Sequence, residues 1–144
     1  MKRNKTLHFF QFQISNFISQ IADSITQIVN HNVIMVTIKR FEDLEIWQKA
    51  RQLCNLIYPL TLKGSFARDY KLRDQINDSS GSVMDNIAEG FERDGKGEFK
   101  QFLSIAKGSC GEVRSQLYRA IDRKHISQEE FESSFTLAEE ISKT

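Results

Sequence analysis

The sequence predicts an all-α protein: an antiparallel up-down-up-down four-helix bundle with an extra N-terminal amphipathic segment. Three observations lead there. Apolar residues recur at steps of three and four in four successive segments after residue 40, which is the period of one helix face. The 144 residues include one proline and seven glycines, so long stretches contain no helix breaker. The connections between segments are short, which makes neighbouring helices antiparallel.

The chain is long enough for one domain with a real core. Its 40% hydrophobic and 27% charged residues are ordinary for a soluble globular protein. The net charge of +1 supplies no global basic field for nucleic acid. The charge is uneven, however. Residues 1–40 hold Lys2, Arg3, Lys5, Lys39 and Arg40 against Asp23 alone, about +4 by formal counting, which leaves the rest at about −3.

Residues 1–40 read as a leader. Phe10, Ile14, Phe17, Ile18, Ile21, Ile25 and Ile28 step along one helical face. Asn30-His31-Asn32 breaks that pattern. Val33–Ile38 is β-branched, as a short strand or extended connector would be. Gln11, Gln13, Ser15, Asn16 and Gln20 interrupt any signal-peptide core or membrane span. Three readings stay open: a helix packing on the body or a neighbouring subunit, a membrane-surface helix, or a poorly ordered segment preceding a start at Met35. The polar face is Gln, Ser and Asn rather than Lys and Arg, which argues against the membrane.

The body, residues 41–144, follows. Its first helix is predicted over 42–60, with Leu44, Trp47, Ala50, Cys54, Ile57 and Tyr58 as the stripe and Pro59 near its end. The second is predicted over 68–93, capped by Asp69, with Leu72, Ile76, Ser79, Ser80, Val83, Ile87 and Phe91 inward. Asp94-Gly95-Lys96-Gly97 should end it, two glycines permitting a positive φ. The third is predicted over 96–124, with Phe99, Phe102, Leu103, Ala106, Cys110, Val113, Leu117, Ala120 and Ile121 inward. The fourth opens on Ser127 and Glu130, a capping box, flanked by Ile126 and Phe131 at the positions of a hydrophobic staple. It is predicted to be shorter than its partners. A short fourth helix would leave one end of the core uncovered, which favours oligomerisation or a contribution from the leader.

Several residues invite a chemical reading. Gly90 to Gly97 nearly spells a phosphate loop, but Gly97 stands where Ser or Thr would hold magnesium, and the segment follows a helix. Gly108-Ser109-Cys110-Gly111 could present a nucleophile, yet a thiolate needs a base, and only His8, His31 and His125 exist. Packing explains these small residues better: Gly90, Gly108 and Gly111 would let helices or subunits approach closely. Asn86 and Glu89 read as ties to a neighbouring helix or subunit, Glu89 through Arg93 or Arg114. No metal-ligand spacing appears, and no cofactor is implied. Cys54 and Cys110 sit at core-like positions and read as reduced thiols of a cytoplasmic protein. Lys100, Lys107 and Arg114 recur every seven residues, with Lys96 one turn earlier. They form either an ordinary solvated face or a contact surface for RNA, DNA or an acidic partner.

Phe41–Ala50, Asn86–Phe91 and Phe99–Glu112 resemble the small bacterial four-helix-bundle proteins encoded within intervening sequences of 23S ribosomal RNA genes. The accessory variability proteins of diversity-generating retroelements are similar. The resemblance covers about residues 38–143. It implies a bundle that assembles with itself into a ring, commonly a pentamer, with no enzymatic activity in most members. For the accessory proteins it implies binding to a reverse transcriptase and nucleic acid through a basic surface. This chain departs from the pattern in its long leader, its early-ending fourth helix and its mildly acidic body. The expectation is a non-enzymatic oligomeric scaffold or nucleic-acid-associated accessory. The alternatives are a protein-binding module using the exposed bundle end and an enzyme using Glu89 or Cys110.

Overall fold

The computed structural model describes residues 18, 20–22, 38–93 and 95–143. These fall into two units, 1–37 and 38–144. In the first, Ile18 and residues 20–22 are helical and exposed. The rest of the leader helix and residues 33–37 of the predicted strand or connector lie outside the described residues.

The second unit is built from four helices: α1 (Glu45–Thr61), α2 (Tyr70–Glu92), α3 (Lys96–Asp122) and α4 (Gln128–Lys143). A 3-10 turn, Phe41–Asp43, precedes α1, and another, Phe66–Arg68, lies between α1 and α2. The described body residues are helical with short connections and no strand, as the sequence predicts. The α2–α3 interface is the most extensive, followed by α3–α4 and α1–α2.

The predicted termini are physical. Asp69 caps α2 by accepting from the Leu72 amide at 3.4 Å. The Ser127 amide donates to Glu130 Oε2 at 2.9 Å, and the Glu130 amide to Ser127 Oγ at 3.2 Å, closing the capping box. α3 ends in a Schellman arrangement: the His125 amide donates to Ala120 O and the Lys124 amide to Ile121 O, both at 2.9 Å. Lys124 takes the left-handed position there, with φ 57°.

The turn between α2 and α3 differs from expectation. Arg93 and Gly95 are both extended, and Gly97 lies in the first turn of α3. Among the described glycines the positive φ falls on Gly64 instead, after α1.

The core holds Ala50, Leu53 and Ile57 of α1, Leu72, Ile76, Val83 and Ile87 of α2, Cys110, Val113 and Leu117 of α3, and Ala138 and Ile141 of α4. Phe66 closes it from the loop. Each fully buried Leu, Ile, Val or Phe contributes about 1.5–3 kcal/mol by removal from water. The α1 stripe is rotated from its predicted position: Leu53 is fully buried, Cys54 is half-buried, and Tyr58 is 59% exposed. Burial of Leu53, Ile57 and Leu60 sets that phase.

The fourth helix is not the lone short one. α1 has 17 residues and α4 has 16, against 23 and 27 for α2 and α3. At 1.5 Å per residue, α2 and α3 are about 35 and 40 Å long, against about 25 Å for the other two. Contacts from Lys63 to Glu130 (3.3 Å) and Ser65 to His125 (2.8 Å) tie the α1–α2 loop to the first turn of α4 and to the α3–α4 loop, at one end of the bundle. The surplus therefore lies at the other end, where the α2–α3 hairpin runs past its neighbours.

Candidate nucleic-acid interface

The projecting hairpin is held by its own contacts. Gly90 is buried, and a Cβ there would meet Phe102 Cβ at 2.6 Å and the Phe99 ring at 3.1 Å. This is the close approach that the sequence suggests. Phe91 meets Phe99 edge-on at 6.3 Å. Arg93 lies over the Phe102 ring at 4.9 Å and pairs with Glu89 at 2.6 Å. Glu89 thus pairs with Arg93 one turn along its own helix, and this contact does not tie it to a neighbouring helix.

Lys96 and Lys100 leave this hairpin, and Lys107 follows along α3. All three are exposed, and none has an ion-pair or hydrogen-bond partner among the described residues. Arg114 continues the seven-residue spacing but is half-buried, with Nε enclosed and unpartnered. Lys100 and Lys107 border a groove of about 330 Å3 with an apolar floor of Ile46, Leu103, Ala106 and Ile141. Lys143 borders it too, paired with Glu139 at 3.0 Å. Some bases elsewhere meet acids, as in Lys49–Glu45, Arg73–Asp74 and Arg123–Asp69, while Arg51, Arg68, Lys71 and Lys124, like the row, have no acidic partner among the described residues.

The small residues between α2 and α3 divide into two groups. Ser79, Ser80, Ser109 and Cys110 are buried. Ser82 and Ser109 share a hydrogen bond at 3.0 Å across the helices. Asn86 donates to Ser82 O (2.7 Å) and Ser82 Oγ (3.0 Å), so it reaches α3 only through Ser82. Gly108 and Gly111 behave otherwise. A Cβ at either would meet nothing within 4 Å among the described residues, so neither makes room for another helix of the bundle.

The nucleophile reading finds no support in the geometry. Burial pushes the Cys110 thiol up to about 11, far from a thiolate at neutral pH. Burial also raises Cys54, whose Sγ donates to Ser80 O at 3.2 Å.

A cluster that the sequence did not reveal lies at the opposite end. Asp69 Oδ2 accepts from Arg123 at 2.6 Å and contacts His125 Nε2 at 3.0 Å. His125 Nδ1 meets Ser65 Oγ at 2.8 Å, and its ring stacks on Phe66. Ser and Asp are exchanged on the ring nitrogens relative to a serine-protease triad. The cluster ties the α1–α2 loop to the α3–α4 loop. Hydrogen bonds from His125 and then Arg123 hold the Asp69 carboxyl down at about 2. Asp69 was legible as a cap; its long-range partners required the fold.

Among the described residues no helix is long and apolar enough to cross a membrane, and no group of three His, Cys, Asp or Glu is placed to hold a metal.

The architecture defines a small helical bundle with a projecting, lysine-bearing hairpin. The chain belongs to the 23S rRNA-intervening sequence protein family, whose model matches residues 42–144. It is similar in structure to a crystallised protein of unknown function from the S23 ribosomal protein family of Bacteroides thetaiotaomicron VPI-5482. The TM-score is 0.62 and the identity 24%, over 68% of this chain and 92% of that one. That likeness shows the fold. No curated protein matches the chain.

Proposed function

We propose that the protein is a non-enzymatic homo-oligomeric scaffold that holds nucleic acid against the Lys96, Lys100, Lys107 and Arg114 face of α3. The observation that carries this reading is the row of exposed, acid-free lysines along a helix of a mildly acidic body. A solvated surface of mixed charge would screen its lysines with neighbouring carboxylates. Repetition of the row around a ring of copies, with five as the proposed number, would sum its field.

The test is binding of a labelled RNA at increasing salt. Replacing Lys96, Lys100 and Lys107 together by Gln should weaken binding and flatten the salt slope by about 0.7 per lost contact on a single strand. An unchanged slope in the triple variant would remove this face from the reading. Light scattering tests the assembly: a particle of 16.7 kDa, a single chain, at micromolar concentration would contradict the scaffold.

The apolar-floored groove beside Lys100 and Lys107 favours a second reading, a partner helix with an acidic face. Binding of an acidic amphipathic peptide, blocked by Leu103→Glu, together with no RNA binding, would favour it over the first.

A further inference from the structure

On the other flank of α3, a cleft of about 450 Å3 runs along α2 and is bordered by Gln75, Asp78, Ser79, Glu112, Gln116 and Arg119. Gln116 is 6% exposed, yet its Oε1 has no hydrogen-bond partner. Its orientation follows from the neighbours. Ser79 has one hydroxyl proton and two acceptors in reach, Gln75 O at 2.9 Å and Glu112 Oε2 at 3.0 Å. Gln116 must therefore supply the donor, which it does through Nε2 at 2.9 Å. Turning the amide over would set its oxygen against a hydroxyl whose proton is already claimed. The orphan acceptor is thus a consequence of the network, and leaving such a group unmet in the interior is unfavourable.

The charge around it is equally unmatched. Arg119 is the one cation lining the cleft, and both its terminal nitrogens donate to Gln75 Oε1, at 3.3 and 3.2 Å. Asp78 and Glu112 have no cationic partner among the described residues, and Glu112 accepts only from Ser79. Two carboxylates therefore border the cleft, and the enclosed Gln116 Oε1 lies behind its wall, all three acceptors. Glu112 and Gln116 are one helical turn apart, so their acceptors are neighbours.

We propose that this cleft binds a guanidinium group, from either a small alkylguanidine or the arginine side chain of a polypeptide. An ammonium offers three donors from a single point. A guanidinium offers five in a plane, enough to fork onto Glu112 and keep donors for Gln116 Oε1, which a turn of that side chain brings to the cleft. The chemistry complements that of the lysine row, which attracts phosphate, so the two flanks of α3 select ligands of opposite charge.

The experiment is a titration of the isotope-labelled full chain, read by the backbone amide resonances of Asp78, Ser79, Ser115 and Arg119 around the cleft. The probes are butylguanidinium, N-acetyl-arginine methylamide and N-acetyl-lysine methylamide. Both guanidinium probes should saturate, and the lysine probe should bind at least about tenfold more weakly. Glu112→Gln, at an exposed position, should weaken guanidinium binding about tenfold or more, the scale of a hydrogen bond to a charged group. Gln116→Leu should abolish binding while melting no lower than wild type, because it removes the orphan acceptor. Equal affinity for the two guanidinium probes assigns the site to a free alkylguanidine; tighter binding of the arginine derivative assigns it to a polypeptide. No saturable response, equal binding of the lysine probe, or unchanged affinity in Glu112→Gln would overturn the proposal.

Discussion

At the scale of single residues, glycines of one sequence type do opposite work. Gly90 lets α2 approach Phe102, whose Cβ is anchored to the α3 backbone and cannot swing aside. Gly90→Ala gains about 1 kcal/mol of helix propensity but overpacks the contact by about 1–3 kcal/mol. A net loss of up to about 2 kcal/mol is expected by chemical denaturation. Gly108→Ala meets no neighbouring atom among the described residues and should gain about 0.5–1 kcal/mol in the isolated chain. Equal effects at the two sites would refute this division. Asp69 supports a second residue-scale prediction. Its carboxyl is held at about 2 against an ordinary value of 3.8. A depressed acid stabilises the fold fully above the unfolded value and loses that contribution as pH falls through the folded one. Asp69→Asn keeps a competent cap but loses the charge facing Arg123 and His125. The variant should be less stable by about 0.5–1 kcal/mol at pH 5, and the difference from wild type should shrink as pH falls from 3.8 through about 2. A gap as large at pH 2 as at pH 5 would show that Asp69 does not act through its charge.

At the scale of elements, the helix starts are the most local features and were the easiest to read. Ser127 and Glu130 satisfy each other's amides within one turn, so the whole motif is written in four consecutive residues. Ser127→Ala should cost about 0.5–2 kcal/mol, measured by denaturation, and amide exchange should rise first in the opening turn of α4. Uniform exchange across the bundle would instead mean that α4 opens only with the whole. The phase of α1 was harder to read because Leu53, Cys54, Ile57 and Tyr58 present apolar groups on adjoining faces. Packing against α2 and α4 selects Leu53 and leaves Tyr58 exposed. The glycines after α2 resemble a positive-φ stop, yet Arg93 and Gly95 pass through extended backbone. The Ser65–His125–Asp69 cluster and the Gln116 cleft join residues 56 to 60 and 37 positions apart. No period or local spacing marks such pairs, so only the fold could bring them together. Lys96, Lys100 and Lys107 were legible as one face; their lack of acidic partners was not.

At the scale of the whole molecule, α3 keeps two glycines on a face that no described residue approaches. Ser104, Gly108, Gly111 and Ser115 recur at helical spacing, and Gly108 and Gly111 have open space where a side chain would stand. Each mid-helix glycine costs about 1 kcal/mol relative to alanine, a large fraction of a marginal stability when two are present. A second copy packed backbone-close on this ridge would offset that cost, and such a contact would serve the assembly that the scaffold reading requires. The same ridge runs beside the lysine row, so joining copies there would bring rows from different subunits into one field. The two properties are then linked and can be separated by one substitution. Gly111→Leu should leave the isolated chain folded, with helical content and core melting close to wild type, because its side chain enters open space. It should block assembly by filling the place of the facing backbone. With every lysine intact, the resulting monomer should bind RNA more weakly and with a shallower salt dependence, since fewer phosphates are neutralised at once. If Gly111→Leu still assembles, the ridge is not the subunit contact. If it is monomeric yet binds RNA with wild-type affinity and salt slope, the lysine row acts alone and the ring is dispensable for binding.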